Sequence, residues 1–577
     1  MTFALMALLA CATTTTARNL AELVPKDALA VTVVNGLANL DAKIQQLGRG
    51  MQIPLPSPFA TVRTMAGIQD TVDKGAAAGL ALVPSANGHP APAEVFYLPV
   101  TDYDKFIGQL QAKDASQKIA EVRMMNKPLL AARVGGYAVM SRPANRAILD
   151  KILAEEDTAA GEIGEFQSYL KAQDVAGVFT SSGVDTFARL GLQGLEEAKS
   201  AISQRGGDEM KAGLAAIDLY AEMLRGIGSE VDALAWGVKL DEKGVLHVTS
   251  RTRFNSAGAI APLLRDAKPY EGDLLAGLPA VPFVGVFGGV VPPESYGPLM
   301  DMSANFMKAA PELYRLEPDQ VDKMIDMSKE TLVGFNGMAF LVGVGQPGDP
   351  LYSQMLGAMF VDDAAAYLAR YKKYWKELDE ALGDAEGSFL ANMDLEEIEV
   401  DGIPAQKLTM GDWSAFTGTL PDAEEFDALM EKMFGPGGKM TMYLAAGDKQ
   451  TVLMNYTDTQ LLKTAMRCIK TGENQLSDAA EVRKTMALLP SGAQAVGLMS
   501  PNGLIAFINR MAALMPKQGG PPRLPEFPEA PPVGWAAKAS PKGLETDLAV
   551  PAQALSAIGQ YVMTIRKWQA ELKAERN

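Results

Sequence analysis

The sequence predicts an α+β protein: two tandem copies of a mixed, mainly antiparallel sheet, each covered by helices. Three observations carry this expectation. Short β-branched and apolar runs alternate with amphipathic helical patterns. Successive strand runs are joined by turns too short for a parallel crossover, so those pairs must be antiparallel. Six blocks of residues in the first half recur in the same order in the second half. At 577 residues the chain exceeds one ordinary hydrophobic core. Its 48% apolar and 21% charged residues indicate a packed body rather than a disordered or polytopic membrane protein.

Residues 1–20 read as a signal-like export segment. Positions 3–10 are almost wholly apolar and are followed by the polar run 13–16, Ala17 and Arg18, as in the apolar and cleavage regions of a secretory signal. The run falls far short of the roughly 20 residues that span a bilayer, and no Lys or Arg precedes it. Leu8-Leu9-Ala10-Cys11 resembles a bacterial lipobox, which makes Cys11 the candidate lipidation site. Cleavage near Ala17, or no export, are the alternatives.

Copy one is expected over 21–268 and copy two over 273–577. The first opens Leu23-Val24-Pro25-Lys26-Asp27-Ala28 and enters a strand over 29–34; the second opens Leu278-Pro279-Ala280 and enters a strand over 283–287. Gly79-Leu80-Ala81-Leu82-Val83 returns as Gly337-Met338-Ala339-Phe340-Leu341, each followed by a loop and a second strand. Asp102 and Asp363 then stand as helix-start residues, with Phe106 and Tyr367 on the apolar stripes that follow. Strands over 122–125, 129–133 and 137–141 read as a meander, and copy two repeats its first turn as Asp401-Gly402, a strong hairpin signal.

Offsets between the copies locate their differences. Val100, Asp102 and Phe106 match Val361, Asp363 and Tyr367 at an offset of 261, but Ala138-Val139-Met140-Ser141 matches Val452-Leu453-Met454-Asn455 at 314, which implies an insertion around 375–440. Gly177, Gly183 and Phe187 match Gly497, Gly503 and Phe507 at a constant 320. Trp236, Lys243 and Gly244 match Trp535, Lys542 and Gly543 at 299, so copy one carries an extra helix within 194–227. Pro525, Pro528, Pro531 and Pro532 mark a loop, and Ile558, Val562, Ile565 and Trp568 form the stripe of a last amphipathic helix over 552–576. Helices are expected on one face of each sheet.

Composition excludes several function classes. A formal charge of -16 repels a phosphate backbone, so nucleic acid is not an expected partner. The same charge disfavours anionic lipid, which leaves the membrane as a partner only through an N-terminal lipid anchor. Two cysteines, Cys11 and Cys468, exclude a disulfide framework, and Cys468 falls among apolar helical positions as a buried, inert thiol.

No constellation of residues converges on a chemistry, and no catalytic, cofactor-binding or metal-binding residue is assigned. Gly343, Gly345 and Gly348 satisfy a dinucleotide-type glycine pattern, but a second strand over 351–360 follows where a helix is required, so a hairpin loop is expected. Gly285, Gly288 and Gly289 precede a helix near Pro292-Pro293 without any basic residue, which reads as tight packing rather than an anion site. His89 lies in a loop, and His247 shares a strand face with Thr249, Arg251 and Arg253; neither stands beside a nucleophile. Asp394, Glu396, Glu397, Glu399 and Asp401 form the densest acidic group, with Glu397, Glu399 and Asp401 on one face of an exposed strand. Among 30 methionines, Met300, Met302, Met307, Met324 and Met327 fall on two helices of copy two, and Met51 and Met65 on the matching stretch of copy one. Core filling is the plain reading, and an adaptable apolar surface the other.

Val24-Pro25-Lys26-Asp27-Ala28, echoed at Leu278-Pro279-Ala280, resembles the opening of uncharacterised exported bacterial proteins whose domains begin with a Val-Pro-x-Asp-Ala motif and a strand. The resemblance implies a cell-envelope or periplasmic setting and no site residues. The function expected is a non-enzymatic envelope binding or scaffolding protein whose partner is a protein or an apolar ligand. A carboxylate-dependent hydrolase at the interface of the copies, and a carrier of lipid or another apolar ligand, are the alternatives.

Overall fold

The computed structural model describes residues 20–85, 91–154, 157–203, 211–297, 300–301, 304, 318–382, 393–410, 423–514 and 522–576. It divides into two compact units: Met1–Glu196 with Met223–Pro262 and Lys542–Thr546, and Glu197–Glu222 with Leu263–Pro541 and Asp547–Asn577. The class is α+β, with helices and antiparallel strand pairing throughout.

The first unit contains β1 (Ala30–Val34), β2 (Ala78–Val83), β3 (Ala93–Pro99), β4 (Ile119–Met124), β5 (Lys127–Val134), β6 (Tyr137–Ser141), β7 (Val175–Phe179), β8 (Val231–Leu240) and β9 (Leu246–Phe254). They pair in the order β4-β5-β6-β3-β2-β1-β7-β8-β9, with β1 between β2 and β7. The meander β4–β6 turns at Met125 and Asn126, both at positive φ, and at Gly135. Helices α1 (Leu37–Gly50), α2 (Pro58–Ala66), α3 (Tyr103–Gln109), α4 (Arg146–Leu153) and α5 (Gln167–Ala172) cover this sheet. Asp102 starts α3 as expected, its Oδ1 accepting from Lys105 N at 3.1 Å.

Helices lie on both faces rather than on one. Leu130 and Ala132 join a cluster with Ile148, Leu149 and Ile152 of α4 and Tyr169 and Leu170 of α5. Leu129 and Ala131, pointing the other way, join Leu37 of α1, Ala66 of α2 and Phe106 and Ile107 of α3. The expectation of one covered face came from antiparallel sheets that keep a wet side. Here β5 and β6 read as nearly continuous apolar runs, which is the pattern of strands buried twice. Full burial of side chains such as Phe106 and Ile107 contributes about 1.5–3 kcal/mol each.

The second unit contains β10 (Phe283–Val290), β11 (Phe335–Gly343), β12 (Met355–Val361), β13 (Asp394–Val400), β14 (Ile403–Met410), β15 (Met440–Ala446), β16 (Thr451–Tyr456), β17 (Ala495–Met499) and β18 (Val533–Ser540). Their order is β13-β14-β15-β16-β12-β11-β10-β17-β18, so four strands lie outside β12 where the first unit has three outside β3. One face of this sheet meets α6 (Ala364–Leu382), which packs with α7 (Pro318–Thr331). The other face meets α8 (Gln460–Thr471), whose Ile469 and the opposite-facing Leu453 both border Gly447. The last helix, Ala552–Arg576, keeps Ile558, Val562, Ile565 and Trp568 half-buried.

Three local devices occur in each unit. The opening prolines each form a β-bridge, Pro25 with Thr158 and Pro279 with Gln475. Gly177 lies directly opposite Trp236, and Gly497 opposite Trp535; a Cβ at Gly177 would meet the indole Nε1 at 2.6 Å. The third device is a helix that starts against the central strand. Thr180 N donates to Leu29 O at 3.1 Å and its Oγ1 accepts from Gly183 N at 3.2 Å, while Ser500 N donates to Val284 O at 3.0 Å and its Oγ accepts from Gly503 N at 3.1 Å.

A Cβ at Gly503 would run into the carbonyl of Phe283, whereas one at Gly108 in α3 meets nothing within 4 Å. Gly503→Ala is therefore expected to destabilise by about 1–3 kcal/mol in urea unfolding. Gly108→Ala is expected to be neutral or to stabilise by up to about 1 kcal/mol. Equal effects would contradict the close helix–strand approach.

Candidate functional site

The layer between α6 and the sheet of the second unit is built from two residue types. Asp363 Oδ1 starts α6 by accepting from Ala366 N at 2.9 Å, and Tyr367, Tyr371, Tyr374 and Trp375 follow at helical spacing on one side. Tyr367 and Tyr371 stack at 6.1 Å, and Trp375 meets Tyr371 edge-on at 5.6 Å. The ladder continues through Phe335, 6.4 Å from Tyr367, to Tyr296. Beneath it the strands present Met359, Met410, Met440, Met442 and Met454, with Met410 and Met440 directly opposite each other. Phenol hydroxyls turn to sulfur: Tyr367 Oη donates to Met359 Sδ at 3.5 Å and Tyr456 Oη to Met454 Sδ at 3.8 Å. Burial pushes the Tyr367 phenol up to about 12, so it stays neutral.

This layer is sealed less tightly than its counterpart in the first unit. There, Phe106 and Ile107 of α3 and Ala131 beneath them are 0% exposed. In the second unit Leu368, Tyr371, Trp375, Met440, Met454 and Tyr456 remain only partly buried. Trp375 lies against the Tyr371 hydroxyl, a side-chain hydrogen bond that lowers the phenol pKa against the larger upward push of burial, and Gln406 Oε1 is wholly buried with no hydrogen-bond partner among the described residues. Gln406 faces α6 from β14, and its Nε2 donates to Leu368 O at 3.0 Å. Met300, Met324 and Met327 pack around Tyr374 and Trp375 in the adjoining cluster. Met302 and Met307 lie outside the described residues, as does the side chain of Met65, and Met51 is half-buried.

A second place in this unit combines strain with a perturbed carboxyl. Thr457 follows β16 at φ +75°, unusual for a β-branched residue, and Asp458 N donates back to Tyr456 O at 2.9 Å in a γ-turn. The fully buried Asn455 braces the turn, its Nδ2 donating to the carbonyls of Tyr456 and Asp458. Asp458 Oδ1 accepts from Gln460 N at 2.8 Å at the start of α8. Burial raises the Asp458 pKa, and the charge of Asp349 adds to the effect.

Asp349 belongs to the glycine-patterned loop, which is a hairpin loop: β11 and β12 are antiparallel, with Val342 opposite Met355. The second strand begins at Met355 rather than at 351, since Leu351 to Gln354 form turns. Arg510 closes the loop by donating to the carbonyls of Val344, of Asp349 at 2.8 Å and of Pro350 at 3.4 Å. A Cβ at Gly345 would run into that guanidinium, so this glycine serves Arg510. Gly288 likewise lies against the carbonyl of Leu274, as tight packing requires.

The remaining candidates stay apart. Cys11 and His89 lie outside the described residues. His247 is opposite Lys239 on β9. On the same face Tyr169 Oη donates to Thr249 O at 3.0 Å, the Arg251 guanidinium lies 4.9 Å over the Tyr169 ring, and Arg253 pairs with Asp232 at 2.6 Å. Of the acidic group, Glu397 pairs with Lys372 at 2.6 Å, which lowers its pKa, and Glu396 pairs with Lys407 at 2.7 Å. Asp401 is not on the strand face; it sits in the turn at φ +50° and pairs with Lys463 at 3.2 Å. Cys468 is buried, its thiol pushed up by desolvation. Among the described residues no group of three or more His, Cys, Asp or Glu could hold a metal ion, and no helix is long and apolar enough to cross a membrane. No protein-family model, curated protein or solved structure matches the chain.

A carboxyl whose folded pKa is raised holds its proton more tightly in the folded chain. Its stabilising contribution is complete below the unfolded value of about 3.9 and is lost as pH climbs through the folded value. Asp458→Asn keeps an acceptor for Gln460 N and removes the charge. Its Tm is expected to exceed that of the wild type at about pH 7, with the gap closing towards about pH 4; a gap that widens on acidification would refute the assignment.

Proposed function

We propose that this protein is a non-enzymatic cell-envelope binding protein that takes an apolar ligand into the layer between α6 and its sheet. On this reading the chain is an export segment, residues 1–20, followed by diverged tandem copies over 21–268 and 273–577. The observation that carries the binding role is the partly open methionine and aromatic layer under α6, set against the more fully buried layer under α3. Thioether side chains adapt to varied apolar shapes at low cost, and aromatic rings supply broad contact area. The duplication is supported by matching strand orders, the paired Gly–Trp positions and the two capped helix starts. The envelope setting rests on the export-like start, on Cys11 and on the Val24-Pro25 opening.

Titration with the neutral fluorescent probe N-phenyl-1-naphthylamine is expected to show saturable binding that weakens several-fold in Trp375→Ala. Phe106→Ala in the first unit should leave probe binding intact. Absence of saturable binding in the wild type would remove the apolar-ligand role. Intact mass spectrometry of protein from its native host is expected to find a chain beginning at an acylated Cys11 or cleaved near Ala17. A chain retaining Met1 in the cytosol would overturn the envelope setting.

A second reading, a carboxylate-dependent hydrolase placed within the second unit instead of at an interface of the copies, is favoured by one observation: Asp458 has a raised pKa, to which Asp349 contributes, next to the strained Thr457. On that reading Asp458 acts as general acid and Asp349 as general base. Turnover of p-nitrophenyl esters that Asp458→Asn abolishes would replace the binding role with this one.

A further inference from the structure

We infer that the helices α9 (Pro501–Leu514) and α10 (Ala552–Arg576) form a docking site for an extended, proline-rich segment of a partner protein, and that the chain's own residues 524–532 occupy it as a tethered stand-in. This role does not depend on the apolar layer under α6, to whose cluster none of the residues involved belongs.

The stand-in is a run of three triplets, each opening with an apolar residue and a proline: Leu524-Pro525-Glu526, Phe527-Pro528-Glu529 and Ala530-Pro531-Pro532. Proline fixes its own φ at about −65° and keeps the residue before it extended, which favours a polyproline II helix of about three residues per turn. Exposure follows that period. Arg523, Glu526 and Glu529 are exposed, whereas the apolar residue and the proline of the first two triplets are half-buried and Pro531 is buried. The apolar-proline edge therefore faces the helices, and the third position of each triplet is open to other side chains.

Two asparagines on α9 hold the backbone of this edge. Asn509, itself buried, closes a two-bond clamp on Leu524: its Oδ1 accepts from Leu524 N at 2.7 Å and its Nδ2 donates to Leu524 O at 2.9 Å. Asn502 stands two turns, or about 10 Å, earlier on the helix, and its Nδ2 donates to Phe527 O at 3.4 Å. Three residues of polyproline II cover about 9 Å, so the clamps fall on successive triplets of a chain running antiparallel to α9. From α10, Tyr561 Oη donates to Pro525 O at 3.3 Å, and its ring lies 4.8 Å from that of Phe527. Elsewhere α9 is pinned by Gly503 against β10 and by Arg510 on the loop after β11, so the clamps are held in place.

The second clamp is only half closed. Asn502 Oδ1 is wholly buried with no hydrogen-bond partner among the described residues, whereas buried polar groups in native proteins almost always find one. Turning the amide over would set its oxygen against the Phe527 carbonyl. The stand-in is also fixed at its far end, where Thr485 Oγ1 donates to Pro532 O at 3.0 Å and β18 begins at Val533. A free segment of the same pattern carries no such restraint and can settle into both clamps.

The test uses the full chain and a fluorescein-labelled peptide with the sequence of residues 523–532. Leu524→Ser together with Phe527→Ser loosens the stand-in and is expected to tighten peptide binding about tenfold over wild type, because a tethered competitor acts at high effective concentration. Adding Asn509→Ala is expected to reverse most of that gain. In the wild type, the peptide at roughly millimolar concentration, the effective concentration of a short tether, is expected to speed hydrogen exchange across residues 523–532 and leave β10 unchanged. A peptide with glycine in place of each proline should do neither. A folded double variant that binds the peptide no better than wild type, binding that survives Asn509→Ala, or wild-type exchange that the peptide leaves unaltered would each overturn the inference. If the double variant does not fold, the exchange measurement on the wild type decides.

Discussion

In each unit the arrangement depends on a helix that starts directly against the carbonyl of a central strand. Thr180 N donates to Leu29 O at 3.1 Å, its Oγ1 donates to Ala28 O at 2.7 Å, and Oγ1 in turn accepts from Gly183 N. Ser500 N likewise donates to Val284 O, and its Oγ accepts from Gly503 N. Only a residue without a Cβ lets the helix come this close, since a side chain at either glycine would overlap the strand carbonyl. With that approach settled, β7 and β17 lie beside β1 and β10, and the Gly–Trp pairs follow in register on the next strands.

Covering both sheet faces has consequences for the strands. A strand buried on two sides cannot alternate apolar with polar residues, which is why β6 is buried along its whole length. The second unit relaxes this at one place. Its fourth outer strand and the longer helix α6 widen the covered face, and methionine and aromatic side chains make up more of its filling than in the first unit. Methionine and tyrosine tolerate an imperfect fit, so the layer holds together around the unpaired Gln406 Oε1.

Much of the fold was legible from residue patterns. The helix starts at Asp102 and Asp363, the turn at Asp401-Gly402 and the hairpin nature of the Gly343–Gly348 loop all follow from local chemistry and stand as read. The candidate layer was legible only in part. The helical spacing of Tyr367, Tyr371 and Trp375 is visible in the sequence, yet nothing local says that Gln406, far along the chain, would face Leu368. Asp458 was likewise invisible, because a lone Asp before a helix reads as a cap, and its raised pKa comes from burial and from Asp349, more than a hundred positions away.

The sequence by itself determined the α+β class, the antiparallel pairing and the position of most turns, because hydrophobic period, short connections and capping residues act over a few positions. Its residue inventory also rules out a disulfide framework and a histidine-rich metal site, because two cysteines and two histidines are too few. Only the tertiary structure decided that helices cover both faces and that Gln406 faces Leu368 of α6. Those outcomes depend on which distant elements exclude water from which side chains, and no local pattern encodes that.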